Sequence, residues 1–552
     1  MRRAHLSWSS LVRACLLLLV TSPLLAQGAP PDKPQVTVGA NLKELLFDWE
    51  PVPGAVLYRL LVKTSDNPRV YYQPLGERIR RTSVAIPIAV HQQRWLTTRY
   101  IVMACNPAGC TRSDEIYPRD LMLDSIGYFK ASNTDAGDHF GSQVAMSADG
   151  GTLAVSAEGE ASGSSGVNAG EYDDSAPNSG AVYVFRRTGR SWAQEIYIKP
   201  PETEAGARFG GGSPVNGHTL ALSADGNTML VGAPSATVNN SVHAGEVHLY
   251  KRDALGRWGW IYAFSAVTSV PQDYFGYDVD ISSDGLTYRI GSMLPQLADG
   301  RKLGRTHIVT YDGVRWNRTL IPQYSGTICR SSRMSGDGFT VMQYCQDTLE
   351  GGTFVRTWTR QTNGTWLSNS ADLIAPATDA VPKMAINYAG TWLAVDEGDN
   401  GVGMYRRDRR DRNWTLDTHI LSPGMSPGGP YNSWATALEF DRHGDYLAIG
   451  DPQGFASGAG VAAQATCCGP QPGDGFIQIW KHVAENLPQW VFITQVKAPN
   501  PGSDDRFAQS IAFGGLGWYL AVGAPNEASS IGGIDGNQDL EDAPGAGAVY
   551  LY

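Results

Sequence analysis

FGSQVAMSADGGTLAV, residues 140–155, sets one apolar run, a tight turn at Asp149-Gly150 and a second apolar run in immediate succession. That is the signature of a hairpin, with Gly accepting a positive φ at no steric cost. The order returns as Phe209-Gly210 followed by LSADGNTMLVGAP, residues 222–234. The turn glycine recurs at Gly150, Gly226, Gly285, Gly338, Gly390, Gly444 and Gly517, so successive turns lie 52 residues (Gly338 to Gly390) to 76 residues (Gly150 to Gly226) apart. Each copy continues through a variable loop into a third strand and then a fourth. Trp192, Trp258, Trp316, Trp366, Trp414 and Trp490 recur near those fourth strands, a periodicity that indicates packing. A four-strand unit cannot bury both of its faces alone, whereas a ring of such units can. The expected fold class is therefore all-β, with a seven-bladed β-propeller over residues 126–552.

The two ends of that stretch carry a matching signal. The last repeat stops at its third strand, GAVYLY, residues 547–552. The missing strand stands ahead of the first repeat: GYFKAS (127–132) aligns with IYIKPP (196–201) and TQVKAP (494–499). A last blade completed by strand 126–131 leaves no open sheet edge to aggregate.

Composition narrows the class. The chain has 552 residues, 63 of them Gly, and a formal net charge of -10. An acidic balance argues against nucleic acid as a partner, because a phosphate-binding face needs clustered Lys and Arg. Residues 1–26 carry Arg2 and Arg3, the apolar run 15–20 and a small residue at Ala26, the pattern of a secretory signal peptide. Cys15 precedes the apolar run, which argues against a lipoprotein anchor, and no later segment is apolar enough for a membrane span. The expected location is secreted, periplasmic or at the cell surface. Of the seven Cys, six remain beyond residue 26. Cys105 and Cys110 bracket an Asn-Pro-Ala-Gly turn, and Cys329 and Cys345 stand on either side of Asp337 in a hairpin, so two disulfides are expected. Cys467 and Cys468 are adjacent; a vicinal disulfide, an intermolecular pairing and free thiols all remain open.

Residues 30–118 lack the repeat. LFDWEPVPGA (46–55), YRLLV (58–62) and YIVMACNPAG (100–109) alternate apolar and polar residues between Pro and Gly, as half-buried strands do. This stretch resembles a fibronectin type III domain, which implies an immunoglobulin-like β-sandwich with Trp49, Tyr58 and Tyr100 in its core.

The repeats resemble the FG-GAP repeats of integrin α-subunit propellers and their bacterial relatives. Phe140-Gly141, Phe209-Gly210 with Gly232-Ala233-Pro234, and Phe507 with Gly523-Ala524-Pro525 carry the likeness. Phe275-Gly276 keeps its first half, and the repeats over 324–420 keep only the spacing. The resemblance implies calcium loops between the first two strands, but those positions hold short turns with single carboxylates, Asp149, Asp225 and Asp284. Calcium needs six to eight oxygens. Asp535, Asn537 and Asp539 do have the spacing of a calcium loop. The aligned positions of the first repeat, Asn168, Gly170 and Tyr172, lack it, so an ordered acidic loop and a metal site both stand as readings of 533–547. No other cofactor is expected.

Propeller topology gathers the loops between second and third strands on one face. They are long at 158–179, 235–244, 453–474 and 526–546, in blades 1, 2, 6 and 7, which are neighbours in a ring. Residues 158–185 and 507–552 contain no Lys, Arg or His. Glu171, Asp173, Asp174, Asp539, Glu541 and Asp542 are accordingly the candidate ligand residues, alongside Glu158, Glu160 and Glu527, on an acidic rim suited to a basic partner surface; solubilising surface charge is the competing reading. The ten His are scattered, and no catalytic residue is assigned. The expected function is an exported, non-catalytic binding or adhesion protein that presents these loops to a protein or glycan ligand. The alternative is a secreted propeller enzyme, a hydrolase or lyase acting on glycans.

Overall fold

A computed structural model describes residues 28–211, 217–293, 304–323, 326–347, 351–369, 372–375, 383–407, 413–421, 435–454, 456–461, 464–465, 473–483 and 489–552. The leader at 1–26 and the Cys467-Cys468 pair lie outside these residues, as does part of the loop 453–474. The chain separates into two compact units. One gathers the segment ending at Thr37 with Phe47–Val84 and Arg99–Ile116; the other gathers Val38–Leu46, Ala85–Thr98 and Tyr117–Tyr552.

In the first unit Leu57–Lys63 and Arg99–Asn106 pair antiparallel, flanked by Gln73–Pro74 and Gly109–Arg112. Trp49, Tyr58 and Tyr100 are buried, with the Trp49 and Tyr58 rings 5.2 Å apart and Phe47 5.0 Å from Tyr100. Cys105 and Cys110 face each other across a hairpin and form a disulfide. Asn106 Oδ1 tightens its turn by accepting the Ala108 and Gly109 N–H groups.

The second unit is a β-propeller of four-stranded antiparallel sheets. In the first of them Phe140–Met146, Thr152–Ala157, Ala181–Thr188 and Ser191–Ile198 follow one another from inside to outside. Later sheets begin with the inner strands Leu220–Leu222, Asp278–Ile281, Thr327–Met334, Met384–Ile386, Ala437–Phe440 and Ser510–Gly514. The third and fourth sheets touch edgewise through Gly304 and Cys329. Each inner strand lies beside the next, and Ser510–Gly514 lies beside Phe140–Met146, so the succession closes on itself. The last sheet runs Ser510–Gly514, Tyr519–Ala524, Ala548–Leu551, and then Gly127–Phe129, with Val549 opposite Phe129.

Local chemistry builds each inner hairpin. Ser147 Oγ donates to Asp149 Oδ1 and accepts the Thr152 N–H, while Asp149 Oδ1 accepts the Gly151 N–H. The same arrangement recurs at Ser223, Ser282 and Ser335. The Asp side chain is thus engaged by its own turn. Cys329 and Cys345 are register partners and form a disulfide, with a bulge beginning directly after Cys329. Burial is concentrated between sheets: Phe129, Val549 and Leu551 of the last sheet share one cluster with Phe140, Leu153 and Tyr183 of the first. The recurring Trp residues belong to such layers, with Trp192 and Phe129 edge to face at 5.7 Å.

Close backbone approach explains the glycines of the Phe-Gly and Gly-Ala-Pro segments. A Cβ on Gly141 would lie 2.4 Å from the Ala548 carbonyl oxygen of the preceding sheet, at a backbone φ of +92°. A Cβ on Gly523 would lie 2.0 Å from the Gly141 oxygen, and one on Gly232 2.1 Å from the Gly276 oxygen. The two glycines of successive sheets therefore face each other, and no side chain fits between them. Gly141→Ala combines this clash with a left-handed φ and is expected to cost about 3 kcal/mol or more, read as a lowered urea midpoint. An unchanged midpoint would refute this account of the interface.

Candidate functional site

The long acidic loops are fixed to the sheets by buried ion pairs. In the first sheet Lys199 Nζ donates to Glu160 Oε2 at 2.7 Å, and Tyr197 Oη donates to Glu160 Oε1 at 2.8 Å. In the last sheet Lys130 Nζ donates to Glu527 Oε2 and Tyr128 Oη to Glu527 Oε1, both at 2.8 Å. All four charged side chains are buried. Loss of water pulls Lys130 and Lys199 down and pushes Tyr128 and Tyr197 up, with the paired glutamates opposing the first effect and adding to the second. The sixth sheet has its own version, Lys497 with Asp474. Glu160 and Glu527, which the sequence places on the acidic rim, are therefore structural. Their partners lie 39 and 397 residues away, so no local pattern marks them as buried.

Asp138 and Asp505, two residues ahead of Phe140 and Phe507, complete this arrangement. Burial is the main cause that pushes both carboxyls up to about 7, with Glu160 and Glu527 respectively adding to it. Asp138 Oδ2 accepts the Asp135 N–H at 2.9 Å, and Asp505 Oδ2 accepts the Gly502 N–H at 2.7 Å.

The candidate ligand residues sit further out on the loops. Asp173, Asp174, Asp539, Glu541 and Asp542 are exposed, and Glu171 is half-buried. Glu171 accepts Ser132 Oγ at 2.8 Å, and Asp542 accepts the Ser530 N–H and Oγ. Asp174 acts electrostatically on Asp138, and Glu541 on Asp505, so each loop's outer carboxylates belong to the field of its own sheet. Of the calcium-spaced set, Asp535 Oδ1 accepts the Tyr128 N–H at 3.1 Å and Asn537 Oδ1 accepts the Asp539 N–H at 3.0 Å. These are backbone-ordering contacts of the loop.

A second constellation lies in the middle of the propeller, where the inner strands surround a cavity of about 490 Å³. Counting back two residues from the first residue of each turn gives Ala145, Ala221, Asp280, Arg333, Ala385, Glu439 and Ala512, all lining this cavity. Lys383, two residues ahead of Ala385, lines it too. At these aligned positions charge therefore forms an arc over the third, fourth and sixth sheets, with Lys383 on the fifth, and Ala stands in the others; Glu158, Arg208, Asp441, Arg442 and Arg506 line the cavity as well. Behind the arc, buried Arg289 donates to Asp278 Oδ1 at 2.9 Å and to Asp280 Oδ2 at 2.7 Å. Arg333 Nη1 donates to Asp278 Oδ1 at 2.5 Å. Despite its burial, Asp278 is held well below the usual carboxylate range by the two guanidinium groups. Half-buried Glu439 is pushed to about 8 chiefly by loss of water, and Lys383 is pulled to about 8 by burial and by Arg333. The sequence signal was a charge at a position where four repeats carry Ala, legible only once the repeats are aligned on their turns. Asp441, His443 and Asp445 also converge beyond Glu439, but Asp441 Oδ1 accepts the Tyr446 N–H as a turn cap.

No protein-family model matches the chain, and no curated protein matches its sequence. Among solved structures, the chain is similar to the β-propeller domain of Cps50 (Swd1) from Myceliophteria thermophila at 10% identity, covering 77% of this chain and 99% of that one, with a TM-score of 0.43. It is also similar to the periplasmic gluconolactonase PpgL of Pseudomonas aeruginosa, at 15% identity over 81% of this chain and 98% of that one, TM-score 0.41. Sqt1 from Chaetomium thermophilum matches at 14% identity over 75% and 86%, TM-score 0.38.

The buried charges generate two expectations. Lys199→Met leaves Glu160 buried without its counter-charge and should cost about 3–5 kcal/mol, measured by urea denaturation. Asp138 and Asp505 stay protonated in the fold up to about pH 7 but ionise near pH 4 when unfolded. The folded state then binds the extra protons, so their stabilisation is full below about pH 4 and lost as pH rises through 7. Asp138→Asn/Asp505→Asn should therefore lose less stability than the unaltered protein between pH 5 and 8. Parallel pH profiles would contradict this.

Proposed function

We propose that the protein is an exported, non-catalytic binding protein. In this reading its seven sheets form a seven-bladed propeller of the FG-GAP, integrin-α-like kind, preceded by a fibronectin type III-like module. The loops of blades 6, 7, 1 and 2 form the docking face, and a partner protein with a basic surface is the ligand. The observation that carries the reading is the anchoring of two acidic loops by the buried Glu160–Lys199 and Glu527–Lys130 pairs. Loops ordered before binding lose little freedom when a partner docks. Their exposed carboxylates, Asp173, Asp174, Asp539, Glu541 and Asp542, supply a negative field that speeds encounter with a cationic surface. The two disulfides fit an oxidising compartment, as the leader-like segment 1–26 requires.

Titration calorimetry with a Lys/Arg-rich peptide, and with an Asp/Glu-rich peptide of equal length, tests this. Only the basic peptide should bind, more weakly at 200 mM than at 50 mM salt. The quadruple variant Asp173→Asn, Asp174→Asn, Glu541→Gln, Asp542→Asn should bind at least about tenfold more weakly. Equal affinity for both peptides, or an unaffected variant, would remove the basis for the acidic face.

A further inference from the structure

The central cavity reaches the first residues of two acidic loops, Glu158 and Asn526, but its donors and acceptors on the third to sixth sheets form their own group and are unequally engaged. On the acidic side, Asp280 Oδ2 accepts both Arg289 Nε and the Met334 N–H, while Asp278 Oδ1 accepts both Arg289 Nη2 and Arg333 Nη1. His218 Nδ1 lies 3.1 Å from the Val279 carbonyl and 4.0 Å from Asp280 Oδ1, and burial pulls its pKa down, so it is neutral at pH 7. Both carboxylates of the third sheet are thus paired with arginine, while Asp280 still acts on Glu439. On the basic side, Arg333 uses Nε on the Met384 carbonyl and Nη1 on Asp278, and its Nη2 has no protein partner among the described residues. Glu439 likewise makes no hydrogen bond among the described residues. Lys383 lines the cavity wall between them in ring order, on the fifth sheet.

We propose that this cavity binds a small hydrophilic anion of about monosaccharide size, a carboxylate or a phosphate, held by Arg333, Lys383 and Glu439. The volume lies within the ordinary range of small-ligand pockets. The Arg333 charge acts on both Lys383 and Glu439, and a guanidinium edge with an ammonium group on the same wall favours an anion. Glu439 with its proton in place donates a third hydrogen bond instead of repelling the ligand. Gln143, Thr436 and Gln509, elsewhere on the wall, suit hydroxyl groups on the remainder of the molecule.

The groups acting on the two titrating side chains are Arg333 and Asp280 on Glu439, and Arg333, Asp278 and Asp396 on Lys383. Raising the pH through about 8 removes the Lys383 charge and gives Glu439 one, so both changes weaken anion binding.

Titration calorimetry with glucuronate, citrate and inorganic phosphate, and with glucose as the uncharged counterpart of glucuronate, provides the test. At least one of the anions should bind at millimolar concentration, and glucose at least about tenfold more weakly than glucuronate if glucuronate is the anion that binds. Glucuronate binding would assign a carboxylate on a hydroxylated frame, citrate a bare carboxylate, and phosphate a phosphoryl group. Lys383→Met should weaken the bound anion about tenfold or more while its thermal melt remains cooperative. Glu439→Gln keeps a hydrogen-bond donor, so it should bind at pH 7 and lose less affinity between pH 7 and 9 than the unaltered protein. The proposal is overturned if none of the three anions binds at 10 mM (about 2.7 kcal/mol of affinity). It is equally overturned if folded Lys383→Met binds as before, or if affinity rises toward pH 9.

Discussion

Everything in the propeller depends on how closely one sheet approaches the next at the paired glycines. Gly141 leaves no room for a side chain beside the Ala548 carbonyl, and Gly523 leaves none beside the Gly141 carbonyl. This contact fixes the inner ends of neighbouring sheets at backbone-to-backbone distance. The larger side chains, Phe140, Tyr183 and Trp192 among them, then fill the widening space further out. A sheet with one face solvated would leave half of these residues exposed; packed as here, each sheet buries both faces, in the manner of layered folds generally. The inner strands are left facing a common cavity, which is how residues 159 positions apart, Asp280 and Glu439 for example, come to share one electrostatic environment.

The second organising element is buried charge. A lysine and a glutamate removed from water together add less stability than the strength of their contact suggests, because both lose hydration. What they do add is position. Glu160 can reach Lys199 and Tyr197 only when its loop takes one path across the face of the sheet, and Glu527 constrains its loop in the same way. The outer carboxylates of those loops then inherit a defined placement from a pair that never meets solvent.

Much of this arrangement was legible in the chain, because the features concerned are local. The Ser-x-Asp-Gly turn is closed by its own side chains at residues 147–152, 223–228, 282–287 and 335–340, and the spacing of those turns marks the sheets. The disulfides Cys105–Cys110 and Cys329–Cys345 each lie within a hairpin, so counting residues from the turn was enough. The burial of Glu160 and Glu527 was not legible, because an exposed and a paired glutamate look alike until the distant lysine is placed. Nor was the charged arc of the cavity. The turn glycines align Asp280, Arg333 and Glu439 with the Ala of other repeats, but nothing local marks the position two residues ahead of the turn as facing a cavity.

The pairing of Gly127–Phe129 with Ala548–Leu551 also sets an order of events. Nearly all other strand pairings join close neighbours in sequence and can form as soon as each hairpin is available. The Lys130–Glu527 contact spans 397 residues, and bringing such distant points together carries a chain-entropy penalty of about 5 kcal/mol in addition to a length-independent part. Closure is therefore the slow, late step of folding, awaiting the whole chain. Until it happens, the strand Ala548–Leu551 has an unpaired edge, and any other extended segment could occupy it. The buried lysine of the closing strand makes such a substitute inferior: a foreign strand can supply the backbone hydrogen bonds, but without an ammonium group at that position it leaves Glu527 charged and alone in the interior. The ion pair thus acts as a proofreading device that favours the chain's own strand over an intruder.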